Sequence, residues 1–229
     1  MILAIETSTQ VCSVALRNRD HAISEMRIEG RGVHSSGTPQ FIQELLTEHH
    51  ATIDDLQAVL FSHGPGSYTG LRIGASLIKG LLYGKSIPLY TTSTLLSIAS
   101  AVLHPSNIHP SIVDGPVTIH GLIDARRSHL YCQTFELSSG LINPISKPAV
   151  EPLDTLSKTI QPGQWVAGTG IHRLQLSEGV FQVDADAISA ENLIRLWDAP
   201  NRDTLFLKRD IAHFEPEYVT MTQIEGAKP

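Results

Sequence analysis

The sequence has no surplus of positive charge. Its 229 residues include 17 Lys and Arg against 23 Asp and Glu, so the formal net charge is −6 with histidine neutral. A chain that holds a nucleic-acid backbone by itself usually carries a basic excess, because neutralised phosphates supply most of the non-specific affinity. The basic pairs at 126–127 and 208–209 are too short to form such a patch. The composition therefore argues against a chain that grips RNA or DNA unaided.

Cysteines and long apolar runs are also scarce. Cys12 and Cys132 each lie in an apolar, strand-like run, where a free thiol behaves as a small hydrophobe, so reduced core cysteines are favoured over a disulfide. The apolar run at 1–5 ends at Glu6, unlike a signal peptide. No stretch is long and apolar enough to cross a bilayer. We expect a cytoplasmic protein.

Metal-binding motifs are missing, although the chain has 11 histidines. The sequence contains neither His-Glu-x-x-His nor His-x-x-x-His, His34 has no second histidine nearby, and His49 and His50 diverge because they are adjacent. We predict no metal ligand and no catalytic residue in this chain.

The hydrophobic pattern predicts an α/β fold whose first part has the order βββαβαβα. The predicted strands are 2–7, 12–16, 22–28, 58–61 and 88–91, and the predicted helices are 39–50, 71–83 and 93–103. The strand at 58–61 is apolar throughout and is therefore expected at the centre of its sheet. A proline-rich stretch at 103–116 predicts a boundary between an N-terminal lobe, 1–103, and a smaller C-terminal lobe, 104–229.

The opening motif recurs in the second half. Residues 3–16 and 120–135 both read as an apolar strand, an acid, a polar turn and a strand that contains cysteine, which favours a duplicated α/β architecture. The two acids are Glu6 and Asp124. In a two-lobed nucleotide-binding fold they would face a metal–phosphate cleft, and the alternative is a pair of solvated carboxylates at strand ends. Further strands are predicted at 164–168 and 181–183, and a helix at 191–197.

A glycine-rich turn, 63–70, follows the central strand and opens a helix. Gly64 and Gly66 make it a candidate phosphate cradle, since glycines let backbone N–H groups approach an anion at a helix N-terminus. The segment fails the P-loop, dinucleotide and nucleophile-elbow patterns, because Leu71 and Arg72 follow Gly70 and the spacings differ. A tight strand-to-helix turn is the favoured interpretation.

The helix predicted at 71–83 is apolar nearly all round its axis. A helix that covers one face of a sheet should show a polar face as well, so this one is either buried between two layers of its own fold or covered by another chain. With the helix at 39–50 it defines a candidate partner interface, which a second copy of the chain is also able to satisfy. The candidate interface residues are Phe41, Leu45, Leu71, Gly74, Ala75, Ile78 and Leu82.

Several of these segments resemble the TsaB family. The resemblance rests on the opening Ile-Leu-Ala-Ile-Glu-Thr-Ser-Thr, on Gly64-Pro-Gly-Ser-Tyr-Thr-Gly-Leu-Arg-Ile-Gly74, on Ile123-Asp-Ala-Arg-Arg127 and, faintly, on Pro216-Glu-Tyr218. It implies an actin-like (ASKHA, ribonuclease H-like) fold with two lobes, each a mixed sheet with flanking helices. It also implies a non-catalytic scaffold in the bacterial complex that forms threonylcarbamoyladenosine in tRNA.

The resemblance implies partners as well. The scaffold would bind a catalytic TsaD-type subunit, a TsaE-type ATPase would join them, and tRNA would be contacted only through the complex. No cofactor is expected on this chain alone, and ATP or ADP in the assembled complex stays open. Where the family often has His-Ser-Glu, this chain has His34-Ser-Ser and then Gly37-Thr-Pro39. The alternative function is an ATP-dependent transferase or hydrolase that uses Glu6, Asp124 and residues 64–70.

Overall fold

A computed structural model describes residues 1–107, 115–184 and 187–217. The strands are β1 Ile2–Glu6, β2 Val11–Arg17, β3 Ile23–Glu29, β4 Ala58–Ser62, β5 Leu89–Thr92, β6 Val117–Asp124, β7 His129–Ser138, β8 Leu141–Pro144, β9 Ala149–Pro152, β10 Trp165–Gly168, β11 Phe181–Val183 and β12 Leu207–Arg209. The helices are α1 His34–Glu48, α2 Tyr68–Leu81, α3 Thr94–Ala99, α4 Leu153–Thr159, α5 Glu191–Trp197 and α6 Arg202–Leu205. Short 3-10 turns lie at Ile53–Asp55, Ser100–Leu103, Pro105–Asn107 and Ile171–Arg173.

Two compact lobes account for the described chain. The first contains Met1–Thr94 and a return segment that begins at Ile188, and the second is built from Leu95–Ala187. This differs from the division at residue 103 predicted from the prolines, because β12 pairs with β5 and α5 packs on the first sheet. The predicted boundary segment, 103–116, lies partly outside the described residues, and Tyr218 lies wholly outside them.

The first lobe is a six-stranded mixed sheet in the order β12-β5-β4-β1-β2-β3. Strand β1 runs parallel to β4 and antiparallel to β2, and β4 runs parallel to β5. The strand predicted to be central, β4, is fully buried and lies inside the sheet. Helices α1 and α2 cover the face formed by alternate residues such as Leu3, Ile5 and Phe61. Helix α5 covers the opposite face.

The second lobe repeats this topology. Its sheet has the order β11-β10-β6-β7-β8, with β9 also paired to β7. Strand β6 is antiparallel to β7 and parallel to β10, as β1 is to β2 and β4. The two sheets thus share one strand order, and Glu6 and Asp124 end equivalent strands, as the duplicated sequence motif predicts. Both cysteines are buried free thiols, and burial raises the pKa of Cys132 to about 11.

Helix α1 begins at His34, five residues before the predicted start at Pro39. Its first turns contain Ser, Gly and Thr, which have low helix propensity, so packing against β2 must hold them in place. A Cβ atom on Gly37 would lie 3.6 Å from Cys12 Sγ, and Thr38 Oγ1 lies 3.2 Å from the same sulfur and donates to the His34 carbonyl at 2.7 Å. Tertiary contact therefore overrides the local preference for a later start.

The return segment is tied to the first sheet by a polar network around Glu25. Glu25 Oε1 accepts hydrogen bonds from the Ser13 and Ser189 hydroxyls, both at 2.6 Å, and Ala190 N donates to Ser13 Oγ at 2.7 Å. A carboxylate at the start of α5 also complements the positive end of that helix. This network explains why the chain returns to the lobe in which it began.

We predict that Glu25→Ala lowers the free energy of unfolding by about 1–3 kcal/mol, because two hydroxyl donors lose a charged acceptor. Glu29→Ala, an exposed carboxylate on the same strand, is the matched control and should stay within about 0.5 kcal/mol. Urea titrations of both variants measure the difference. Equal midpoints and slopes would show that the network adds no stability.

Candidate functional site

The glycine-rich turn packs tightly against the turn between β1 and β2. A Cβ atom on Gly66 would lie 2.3 Å from the Ser8 carbonyl oxygen, and one on Gly70 would lie 2.0 Å from the Thr7 carbonyl oxygen. Ser67 N donates to Ser8 O at 2.5 Å, and Ser67 Oγ caps α2 by accepting from Gly70 N at 3.2 Å. The glycines at these two positions are thus required by close contact with the chain's own backbone.

Glu6 lies in a buried polar row at the carboxyl ends of the first lobe's strands. In the sheet register it pairs with Ser13 on one side, and on the other it lies beside Ser62, which pairs with Thr92. Glu6 Oε1 accepts from Ser8 N at 2.6 Å. Burial raises the pKa of Glu6, and the nearby Ser62 and Ser8 hydroxyls oppose this rise. The environment therefore disfavours the charged form that a metal–phosphate site would use.

Other polar atoms at this edge are buried without a hydrogen-bond partner among the described residues. They are Thr7 Oγ1, His63 Nδ1 and Ser93 Oγ. Such atoms cost free energy unless a partner reaches them. The edge is consequently polar and able to accept water or a small polar ligand, which keeps Glu6 a candidate for ligand contact.

Asp124, the equivalent acid of the second lobe, has different surroundings. Its side chain is exposed and forms an ion pair with Arg173, and Asp124 Oδ1 accepts from Arg126 N at 2.7 Å. Its own N–H donates to Thr169 Oγ1 at 2.9 Å. These contacts fix the turn between β6 and β7, where Arg126 and Arg127 both have positive φ. The carboxylate thus has a local structural role that position in sequence did not predict.

Most of the candidate interface residues belong to the core of the first lobe. Six of them face the sheet and are buried, and Phe41 is half-buried against the same core: the six are Leu45, Leu71, Gly74, Ala75, Ile78 and Leu82. A Cβ atom on Gly74 would lie 2.5 Å from Thr7 Oγ1 and 2.7 Å from Phe61. The prediction that the six buried residues contact a partner is therefore wrong, because α1 and α2 turn these residues onto the sheet of their own lobe. The role of half-buried Phe41 stays a prediction.

The outward face of α2 is formed by other residues. Exposed or half-exposed positions recur three or four residues apart: Tyr68, Thr69, Arg72, Ile73, Ser76, Leu77 and Gly80, followed by Tyr83 beyond the helix end. Tyr83 is 88% exposed and Tyr68 is 54% exposed, with the Arg72 guanidinium 4.8 Å from the Tyr68 ring. We call these eight residues the outer α2 face. Helical spacing from the buried positions identifies them, once it is known which side faces the sheet.

His63 and Glu217 form a contact at the start of the glycine-rich turn that the sequence did not suggest. Glu217 lies 154 positions from His63 in the chain, and no local pattern connects them. In the structure His63 Nε2 lies 3.3 Å from Glu217 Oε2.

The described residues contain neither a metal-type cluster of side chains nor a helix that could span a membrane. Within 1–107, 115–184 and 187–217, no three His, Cys, Asp or Glu side chains come together as a metal site would require. Over the same residues, no helix is both long enough and apolar enough to cross a membrane.

Two lobes with the same strand order, each a mixed sheet with flanking helices, define the actin-like ASKHA class of proteins. Residues 31–191 match the family model described as "TsaD: tRNA N6-adenosine threonylcarbamoyltransferase". The fold is similar to that of YeaZ from Pseudomonas aeruginosa, with a TM-score of 0.76, 22% sequence identity and coverage of 95% of this chain and 99% of that one.

Curated relatives identify the family. The tRNA threonylcarbamoyladenosine biosynthesis protein TsaB of Escherichia coli is 30% identical over 173 residues, which are 74% of this chain and 71% of that protein. The TsaB protein of Buchnera aphidicola subsp. Baizongia pistaciae is 26% identical over 93% of this chain and 94% of that protein. The chain belongs to the TsaB family, and this membership assigns it to the biosynthesis of threonylcarbamoyladenosine in tRNA.

We predict opposite effects for two alanine substitutions in α2. Gly74→Ala places a methyl group against Thr7 and Phe61 and should cost about 1–3 kcal/mol of stability. Gly80→Ala meets nothing within 4 Å and should add up to about 1 kcal/mol, because alanine favours the helix. Thermal unfolding of the two variants measures both effects. Equal melting temperatures would contradict the close packing at Gly74.

We also predict that Glu6→Gln stabilises the protein in a pH-dependent way. Because the pKa of Glu6 is raised in the folded state, the native-state advantage of the neutral form is present below the unfolded pKa and is lost as pH rises through the folded pKa. Glutamine stays neutral, so the variant should gain on wild type as pH rises above the unfolded-state pKa of about 4.5. Each tenfold shift in proton affinity contributes about 1.4 kcal/mol. A difference in unfolding free energy that is constant with pH would refute this account.

Proposed function

We propose that the chain is a non-catalytic scaffold that binds a TsaD-type catalytic subunit through the outer α2 face. The observation that carries this proposal is that the outer α2 face combines exposed apolar and aromatic side chains with small residues. Tyr68, Ile73, Leu77 and Tyr83 supply apolar and aromatic area, while Ser76 and Gly80 are small enough for a partner helix to approach closely. Aromatic residues and arginine are the side chains that most often dominate binding energy at interfaces.

The chemistry of the partner follows from the shared fold. This chain matches the family model of the catalytic enzyme over most of its length, so a TsaD-type subunit would carry a related pair of helices. Two related faces are able to meet about a pseudo-two-fold axis, as identical faces do in a dimer. Helix α2 is about 21 Å long, and a single helix of this length offers less surface than the roughly 800 Å² that a stable interface needs from each side. The exposed side of α1, with Gln43, Glu44 and Thr47, would add area.

The remaining partners follow from this arrangement. In the absence of the catalytic subunit, a second copy of the chain would cover the same face and form a homodimer. A TsaE-type ATPase would join the heterodimer, and tRNA would be held by the assembled complex, since the net charge of −6 gives this chain no phosphate-binding surplus. A protein with these partners acts in the cytoplasm.

This chain alone would bind neither ATP nor ADP, and a nucleotide would enter with the assembled complex. The Ser8 carbonyl oxygen already occupies the space beside Gly66, where a phosphate cradle needs room. Titration calorimetry of the isolated chain with ATP and Mg²⁺ should accordingly give no heat of binding. The alternative of an independent transferase or hydrolase gains no support from Glu6, whose burial favours a neutral carboxyl.

We predict that Ser76→Arg weakens binding of the TsaD-type subunit at least tenfold and leaves the fold intact. Ser76 is exposed, so arginine is tolerated in the monomer, while its bulk and charge would prevent a close helix contact. Ile78→Asp would not test the interface, because it buries a charge at a fully enclosed position and would unfold the lobe. Biolayer interferometry against the purified catalytic subunit measures the affinity.

Ser177→Arg is the matched control, since Ser177 is an exposed serine of the second lobe. It should bind as wild type does. If Ser76→Arg and Ser177→Arg bind equally well, the partner contacts a different surface. Light scattering of both variants without the partner reports separately on the homodimer.

A further inference from the structure

Residues 211–217, more than a hundred positions after helix α2 in the sequence, lie along that helix. We call this segment the strap. Phe214 is buried in the core of the first lobe, with its ring 6.1 Å from that of Phe61 in an edge-to-face arrangement. Near the end of α2, Lys79 Nζ donates to the Ala212 carbonyl at 3.5 Å. The strap is therefore anchored by an aromatic contact under the sheet-facing side of the helix.

The last residue of the strap, Glu217, contacts His63, the first residue of the glycine-rich turn. Glu217 N donates to the His63 carbonyl at 2.8 Å. The two oxygens of the Glu217 carboxylate contact two basic side chains: Oε2 lies 3.3 Å from His63 Nε2, and Oε1 lies 3.1 Å from the Arg209 guanidinium. The hydrogen bond from His63 lowers the pKa of Glu217 to about 2, and Arg209 contributes to this decrease. The carboxylate is thus charged throughout the physiological range.

Each of the two bases is held by the sheet. His63 is 7% exposed, and its backbone N–H donates to the Thr92 carbonyl at 3.0 Å. Arg209 Nε donates to Thr91 Oγ1 at 2.8 Å. The contact is also close: a Cβ atom on Gly64 would lie 2.3 Å from the Glu217 carbonyl oxygen. Glycine at 64 is consequently required by the strap, in the way that Gly66 and Gly70 are required by the β1–β2 turn.

We propose that Glu217 is a positioning residue, which latches the strap onto His63 and so fixes the glycine-rich turn and the first turn of α2 for partner binding. The inference rests on the proposed function, because the outer α2 face starts at Tyr68, five residues after His63. This contact between Glu217 and His63, which we call the latch, holds the start of the glycine-rich turn. The hydrogen bond between Ser67 and Ser8 holds the residue before α2. Opening the latch would let Tyr68 and Arg72 move relative to the rest of the face.

The test uses the full-length chain with three changes. Glu217→Gln removes the charge and keeps the shape, and Glu217→Asp keeps the charge on a shorter arm. Glu215→Gln is the matched control, because Glu215 is an exposed carboxylate on the same strap with no ion pair in the described part of the chain. Amide hydrogen exchange of residues 63–72 in the isolated chain reports on the latch, and interferometry against the TsaD-type subunit reports on binding.

Glu217→Gln should raise exchange over residues 63–72 and weaken partner binding roughly fivefold, as expected for the loss of one partly exposed, charge-assisted hydrogen bond. Glu217→Asp should restore part of both losses, and Glu215→Gln should change neither. Faster exchange with unchanged affinity would overturn the positioning role, and unchanged exchange would overturn the latch itself. If wild type does not bind the subunit, the proposed function fails, while the exchange measurement still decides whether the latch exists.

Discussion

The close approach of helix α2 to the turn after β1 is the contact on which the rest of the first lobe depends. Gly66 and Gly70 let the backbone of Ser8 and Thr7 lie where side chains would otherwise project, and Gly74 leaves room for the side chains of Thr7 and Phe61. This contact sets the depth of α2 on the sheet, and hence which residues of the helix are buried. Because the buried residues of α2 are fixed, its exposed residues are fixed too. The outer α2 face is therefore determined by the close contact of the glycines on the opposite side of the helix.

The same contact explains why a glycine-rich turn at the end of a parallel strand need not cradle a phosphate. In a phosphate-binding loop, glycines make room for a ligand's oxygen atoms. Here the Ser8 carbonyl oxygen fills that room and accepts a hydrogen bond from Ser67. Both kinds of turn are rich in small residues, and here the failed motif spacings and the position of the preceding turn both argue against a phosphate.

The hydrophobic periodicity and the glycine- and proline-rich segments predicted the architecture well. The order of strands and helices up to residue 103, the central position of β4 and the helix at Glu191–Trp197 are confirmed. The family and its fold were likewise recognisable from the glycine-rich block and the opening strand. The α1 start was wrong, because Gly37 and Thr38 are helical only by virtue of contacts with Cys12. Local propensity holds no information about such a contact.

The site was harder to predict for a related reason. An apolar helix does not reveal from its sequence which of its sides lies on the sheet, so the residues chosen for the interface, such as Leu71 and Ile78, proved to be its buried side. The link from His63 to Glu217 and the return of residues 188–217 to the first lobe are long-range events. They depend on polar contacts, around Glu25 and Arg209, whose partners are far apart in the chain.

The discontinuous first lobe has a consequence for how the protein is made. Its core includes Phe214, and its sheet includes β12, so a ribosome that has completed β5 has not yet supplied everything that this core needs. At about 5–20 residues per second, the missing pieces arrive on the order of ten seconds later. The described part of the second lobe, Leu95–Ala187, is continuous in the sequence and is available to fold during that interval. Among the described residues, the lobe that begins the chain is thus the last to be completed.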